Sequence, residues 1–130
     1  DSDCNPDMPH SNGGVSCRLA KAVYCAEKQN MGWNMHDAIF TSFQNFDGTV
    51  NSLGVDEKLK PLAVQAGLNW DPMVLCMEES ATQDAVVAQA KAGNQAGVTG
   101  TPTIFVNGRK LTYGQIIPVL EKVYQTLQAQ

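Results

Sequence analysis

Residues 96–108 carry the clearest structural signal in this chain: Ala96-Gly97-Val98-Thr99-Gly100-Thr101-Pro102-Thr103-Ile104-Phe105-Val106-Asn107-Gly108. The β-branched and aromatic residues at 103–106 predict a strand, and Asn107-Gly108 is the strongest short hairpin signal that a sequence offers. A second strand is expected through residues 109–111. The chain therefore contains a small β-hairpin, entered through a loop that holds Thr101-Pro102.

A helix is predicted on the C-terminal side of this hairpin, from Gln115 to Gln130. Pro118 is compatible with the helix if it lies in the first turn, where its missing N–H has no helical partner in any case. Four apolar side chains at helical spacing should line one face of the helix: Ile117, Leu120, Tyr124 and Leu127. The chain is thus expected to end in an amphipathic helix.

Five helices are predicted on the N-terminal side of the hairpin, the first over residues 15–29. The second covers residues 33–43, where a small core is expected to bury a large aromatic-rich face. This face consists of Trp33, Ile39, Phe40 and Phe43. The third covers residues 55–66, in which Pro61 either kinks a continuous helix or marks the first turn of a shorter one.

The fourth and fifth helices are predicted from their capping residues. Asp71 precedes Pro72 and should cap a short helix that carries Cys76. Ser80 should cap a helix that runs to about residue 96, where Gly97 can adopt the left-handed conformation that ends it. Residues 5–14 contain two prolines and two consecutive glycines and are expected to form an irregular arm.

Length and composition indicate a single globular domain. A chain of 130 residues with 43% apolar and 17% charged residues lies far from the composition of disordered segments. A net charge of −4 and the lack of a basic cluster argue against nucleic acid as a partner. No apolar run reaches the roughly 20 residues needed to span a bilayer, so any targeting segment is expected to be cleaved off or to lie outside this sequence.

The four cysteines, at positions 4, 17, 25 and 76, suggest disulfides, although buried reduced thiols are the alternative. Four cysteines allow three pairings, and no two of them form a CxxC motif. A zinc site built from Cys4, His10 and Cys17 lacks a fourth ligand and matches no common zinc spacing, so no metal site is predicted. His36, beside aromatic residues on a helix, is interpreted as a packed structural side chain.

The segment 96–108 resembles the cis-proline loop, strand and hairpin of DsbA-like thioredoxin-fold proteins. Upstream, Tyr24-Cys25-Ala26-Glu27-Lys28-Gln29 and Gly32-Trp33-Asn34-Met35-His36-Asp37 resemble the helical domain that this family inserts into its thioredoxin fold. The similarity extends from Cys4 to the C-terminus. It implies an α+β, mainly helical fold with an arm over 1–14, the inserted helical domain over 15–96, and the C-terminal half of the thioredoxin-like part over 97–130. The family's N-terminal βαβ part, which carries the CxxC, is absent from this sequence.

The resemblance also implies a pairing of cysteines and a binding site. It pairs Cys25 with Cys76, which leaves Cys4 to pair with Cys17. In the chain-entropy model the first disulfide should stabilise the fold by about 4 kcal/mol and the second, which closes a shorter loop, by about 3 kcal/mol. It further implies a cis peptide bond before Pro102, and a role for Gly100, Thr101 and Pro102 in positioning extended substrate segments. The simpler interpretation is that the glycines only relieve backbone crowding.

Together these expectations describe the C-terminal portion of a periplasmic or otherwise extracytoplasmic thiol:disulfide oxidoreductase. Its partners should be extended segments of cysteine-containing proteins, together with the missing CxxC segment or a second copy of the chain. Because the family's chemistry depends on a thiolate stabilised at a helix N-terminus, we assign no catalytic residue and no cofactor to this chain. The alternative is a noncatalytic, disulfide-stabilised module that binds peptides or has a structural role.

Overall fold

The structure is a computed structural model that describes residues 1–129, and contacts divide the chain into two units, Asp1–Asn94 and a second one that begins at Gln95. The helices of the N-terminal part are α1 (Val15–Glu27), α2 (Gly32–Thr41), α3 (Ser52–Gln65), α4 (Trp70–Glu78) and α5 (Ser80–Gln95), with a 3-10 turn at Phe43–Phe46. The second unit contains strands β1 (Phe105–Val106) and β2 (Arg109–Lys110), a 3-10 turn at Tyr113–Gln115 and helix α6 (Ile116–Gln128). The expectation of a mainly helical chain with one two-stranded hairpin is confirmed.

The core of the first unit lies between α1, α2, α3 and α4. Apolar residues at helical spacing on each of these helices point inward, and the largest fully buried side chains include Met35, Leu59, Met73 and Met77. Unbranched methionines fill irregular gaps between helices well. Phe46 of the 3-10 turn packs against the same core.

Helix α3 begins at Ser52, earlier than predicted, because Asn51 caps it: the Asn51 Oδ1 accepts a hydrogen bond from the Gly54 N–H at 2.9 Å. Pro61 therefore lies well inside a helix that continues to Gln65. The interpretation of Pro61 as the first turn of a shorter helix is wrong.

Replacing Asn51 by alanine should lower the free energy of unfolding by about 1 kcal/mol, because it removes a side chain that satisfies a free N–H of the first turn. Asn69→Ala is the matched control, since Asn69 occupies the same position before α4 but its side chain makes no capping hydrogen bond. Urea unfolding of both variants measures the difference. Equal losses in the two variants would contradict the capping role of Asn51.

Helices α4 and α5 begin at Trp70 and Ser80, so the predicted capping roles of Asp71 and Ser80 are wrong: both side chains lie within the first turn. The earlier start of α4 has a tertiary cause. The backbone N–H and C=O of Asn69 both bond to the side-chain amide of Gln29, at 3.0 and 3.1 Å, and this fixes the point at which the chain turns into the helix. Gly97 has a positive φ of 77°, as expected for a residue that ends α5.

The predicted burial of the aromatic face in the second helix is wrong. Of its four members only Ile39 is buried, whereas Trp33, Phe40 and Phe43 are 75%, 65% and 55% exposed. Helix α2 packs on the core through Met35 and Ile39, which lie four residues apart on one side. Trp33 and Phe40 lie on the other side, and Phe43 lies beyond the end of the helix.

Residues 1–14 form turns that are tied to the first unit. A disulfide joins Cys4 to Cys17 of α1, and the Gln83 side-chain amide donates to the Asp3 carbonyl at 2.7 Å. The Asn94 amide bonds to the side chains of Asn5 and Asp7. The arm is irregular, as predicted, but it is held at both α1 and α5.

The hairpin of the second unit pairs Phe105 with Lys110 and Val106 with Arg109. Asn107 and Gly108 both have positive φ values, 48° and 77°, which is the geometry of a type I′ turn. The strands are shorter than the predicted 103–106 and 109–111, although the Leu111 N–H still donates to the Ile104 carbonyl at 2.9 Å.

Helix α6 begins with Pro118 in its first turn, and none of its residues is buried. The predicted last residue of this helix, Gln130, lies outside the described residues. None of the helices within residues 1–129 has the length and apolar character needed to cross a membrane.

Candidate site around Thr101 and Pro102

The loop between α5 and β1 contains the three predicted binding residues, Gly100, Thr101 and Pro102, and all three are exposed. The peptide bond between Thr101 and Pro102 is cis. Two hydrogen bonds hold the loop: the Thr103 hydroxyl donates to the Gly100 carbonyl at 2.6 Å, and the Lys110 ammonium donates to the Gly97 carbonyl.

The backbone N–H groups of this loop are left without protein partners. Within the described residues, no N–H group of residues 98–103 donates to a backbone or side-chain acceptor. Exposed, unpaired backbone of this kind can form hydrogen bonds with an added extended segment. The loop is therefore available for strand-like pairing.

An open cavity of about 420 Å³ lies beside the loop, entirely within the second unit. Its apolar wall consists of Pro102, Leu111, Tyr113 and Ile116, and Gly100 lines it as well. Thr101 does not line this cavity, so the structure places only two of the three predicted binding residues at it. A cavity with these walls suits an apolar side chain.

Sequence reasoning missed three members of this wall, Leu111, Ile116 and Tyr113, of which Tyr113 is 87% exposed. Tyr113 begins a 3-10 turn whose capping box joins Thr112 and Gln115, with the Gln115 side chain accepting from the Thr112 N–H at 3.4 Å. The Thr-x-x-Gln spacing at 112–115 is typical of a capping box and could have indicated this turn from the sequence. It marks the turn that brings Tyr113 to the cavity.

The cavity holds no thiol in its lining for disulfide exchange. Its lining includes Thr99, Thr103, Thr112 and one charged residue, Lys110, and it includes no cysteine, histidine or carboxylate. A thiol:disulfide exchange at this place would need a thiolate from elsewhere.

All four cysteines are closed in disulfides, with Cys4 joined to Cys17 and Cys25 joined to Cys76. This is the pairing implied by the resemblance, and the Cα atoms are 5.3 and 5.9 Å apart. Each cysteine is at most 7% exposed. Cys4 and Cys17 therefore have no free thiolate that could bind zinc. Both disulfides lie within the first unit.

His36 is a hydrogen-bonded, packed side chain. Its Nδ1 lies 3.0 Å from the Asp37 carboxylate, and its ring lies between those of Trp33 and Phe40. This arrangement agrees with the structural role predicted for it.

A comparison with protein families matches the DSBA-like thioredoxin domain to residues 6–125, which is nearly the whole chain. No curated protein and no solved structure matches this sequence.

Proposed function

Because this chain belongs to the family of DSBA-like thioredoxin domains, we propose that it is the C-terminal portion of an extracytoplasmic thiol:disulfide oxidoreductase and supplies its substrate-binding loop. The observation that carries the proposal is the set of unpaired backbone N–H groups in residues 98–103 beside an apolar cavity. Extended segments of cysteine-containing proteins would pair with Gly100 and Thr101 and place a neighbouring apolar side chain against Pro102 and Tyr113. Two disulfides in a chain of this size favour an oxidising compartment.

The nucleophile is proposed to come from a CxxC segment outside these 130 residues, since every cysteine within them is already bonded. In the exchange, its thiolate would attack one sulfur of a disulfide and form a mixed disulfide, and the other sulfur would leave as a thiolate. A two-stranded ribbon is marginal alone and presents a free edge to which strands of that segment could be added. The exposed apolar side chains of α6 offer further surface for it.

The binding role can be tested with an extended peptide that contains a blocked cysteine next to a leucine. Titration into the isotope-labelled chain should shift the amide resonances of Gly100, Thr101 and Thr103 in an NMR spectrum. Tyr113→Ala should weaken binding about tenfold by removing an aromatic wall of the cavity. Tyr124→Ala is the control, because Tyr124 is 62% exposed on α6 and lies outside the cavity lining.

Resonance shifts confined to the first unit, or equal effects of the two tyrosine variants, would contradict the proposed binding site. In an insulin reduction assay the chain alone should show no activity above that of the reductant. Activity of the chain alone would overturn the assignment of the nucleophile to another segment.

A noncatalytic peptide-binding module is the second candidate, and the bonded state of all four cysteines favours it. The precursor sequence upstream of Asp1 distinguishes the two. A strand followed by CxxC at that position supports the oxidoreductase, whereas an unrelated sequence there supports the binding module.

A further inference from the structure

All polar side chains that line the cavity beside the loop can donate a hydrogen bond. They are the hydroxyls of Thr99, Thr103, Thr112 and Tyr113 and the ammonium group of Lys110. The lining contains no carboxylate and no side-chain amide. Because an ionised carboxylate only accepts hydrogen bonds, a lining of this composition is complementary to an anionic group.

Lys110 supplies the one charge of this lining. Its ammonium group has three donor positions, and the Gly97 carbonyl, which is a neutral acceptor, occupies one of them. No carboxylate within residues 1–129 forms an ion pair with Lys110. The Thr112 hydroxyl already accepts from the Gln115 N–H, so its own hydrogen is left to donate. Two ammonium hydrogens and this hydroxyl are therefore available to an anionic group in the cavity.

The second unit is more basic than the chain as a whole. Within residues 95–129 it contains Arg109, Lys110 and Lys122 against a single acidic residue, Glu121, although the whole chain has a net charge of −4. Surface charge of one sign attracts ligands of the opposite sign and raises their rate of association. The charge of this unit therefore favours an acidic segment over a basic one.

We propose that Lys110 makes the cavity selective for segments that carry glutamate or aspartate two positions from the apolar residue packed against Pro102 and Tyr113. This inference rests on the proposed function, in which an extended segment pairs with the loop. Side chains of an extended segment alternate in direction, so residues two positions apart lie on one face, about 7 Å from each other. The apolar and the acidic side chain would share the open cavity of about 420 Å³. The cysteine between them would point away from it, free to exchange with a thiolate outside the cavity.

Peptides that differ at one position test this selectivity. Each contains leucine, a blocked cysteine and then glutamate, glutamine or lysine, and each is made in both orders so that either strand direction is covered. Both ends are capped, which leaves the glutamate side chain as the one carboxylate. NMR titration into the full chain should give a dissociation constant about two- to fivefold lower for glutamate than for glutamine, and a higher one for lysine. The preference should disappear in about 1 M salt, which screens exposed charges.

Variants of the chain assign the preference to one side chain. Lys110→Met should make the glutamate and glutamine peptides bind equally, and Lys110→Arg should keep the preference. Because Lys110→Met also loses the hydrogen bond to Gly97, both peptides can bind less tightly, and the ratio of their dissociation constants separates the charge from this loss. Arg109→Met is the matched control with the same change in net charge. Arg109 pairs with Val106 and does not line the cavity, so the preference should persist.

The possible failures of this inference and of the proposed function differ. If the glutamate and glutamine peptides both shift the Gly100 and Thr101 resonances with equal affinity, the selectivity is overturned and the binding loop stands. If no peptide shifts these resonances, both are overturned. An equal loss of preference in Arg109→Met and Lys110→Met would assign it to net charge and not to Lys110. A peptide that ends in a free carboxylate after the blocked cysteine, and binds as tightly as the glutamate peptide, would overturn the assignment to a side chain.

Discussion

Replacing Cys25 and Cys76 together by alanine should lower the free energy of unfolding by about 4 kcal/mol or more. The disulfide joins α1 to α4 across a sequence separation of 51 residues, so it strongly restricts the unfolded chain. Domains of this size are generally stable by only about 5–15 kcal/mol. The variant should therefore unfold at a much lower urea concentration than the parent chain.

Thr82 adds a second contribution to this loss. Its side chain is fully buried, and its hydroxyl lies 3.5 Å from the Cys76 sulfur and 3.9 Å from the Cys25 sulfur. Because sulfurs in a disulfide carry no hydrogen, the hydroxyl is the donor in these contacts. Alanines at both positions would leave it buried without an acceptor, which costs about 1–3 kcal/mol.

A double-mutant cycle with Thr82→Val measures this coupling. In the parent chain Thr82→Val should cost about 1 kcal/mol, whereas in the Cys25→Ala/Cys76→Ala background it should be neutral or stabilising. The Cys4→Ala/Cys17→Ala variant is the control, since its shorter separation of 13 residues predicts a loss of only about 3 kcal/mol and no coupling to Thr82. An identical effect of Thr82→Val in all backgrounds would contradict the role of the hydroxyl.

The features that could be predicted from sequence are those set by local interactions. The hairpin turn depends only on Asn107 and Gly108, which adopt positive φ more readily than other residues, and it appears where it was predicted. The end of α5 near Gly97 has the same local origin. The disulfide pairing is different, because four cysteines leave three choices and only the family resemblance selects among them.

The features that sequence reasoning missed depend on tertiary contacts. The aromatic residues of α2 look like core residues, yet Met35 and Ile39 pack against the neighbouring helices and leave Trp33 and Phe40 outside. The start of α4 depends on Gln29, which is distant in sequence. In the candidate site, Pro102 was found because its loop resembles a family motif, whereas Tyr113 reaches the cavity only through a 3-10 turn.

The same limitation applies to Arg18, which sequence analysis did not single out. Within residues 1–129 it is the one buried charged side chain, at 5% exposure, and it connects α1 to α3 and α4. Its guanidinium bonds to both carboxylate oxygens of Asp56, at 2.8 and 2.6 Å, and lies 2.8 Å from the Glu78 carboxylate. Burial lowers the pKa of Arg18, but hydrogen bonds and charges from Asp56 and Glu78 outweigh it, so the net pKa is raised. The Arg18 guanidinium therefore keeps its charge throughout the pH range in which proteins fold.

Arg18→Met should lower the free energy of unfolding by about 3 kcal/mol, because it leaves the largely buried Asp56 carboxylate without its partner. We place the loss at the low end of the range for buried pairs, since the Glu78 side chain is 68% exposed and can turn to water. Lys28→Met is the matched control: Lys28 pairs with Glu79 at 3.5 Å on the surface, and its loss should cost at most about 0.5 kcal/mol.

The double variant Arg18→Met/Asp56→Leu distinguishes charge from packing. If an uncompensated carboxylate causes the loss in Arg18→Met, removing that carboxylate should restore most of the stability, because apolar side chains of similar size can replace a buried ion pair. Urea unfolding of the two single variants and the double variant gives the coupling free energy directly. A double variant as unstable as Arg18→Met would show instead that an uncompensated Asp56 carboxylate is not the cause of the loss.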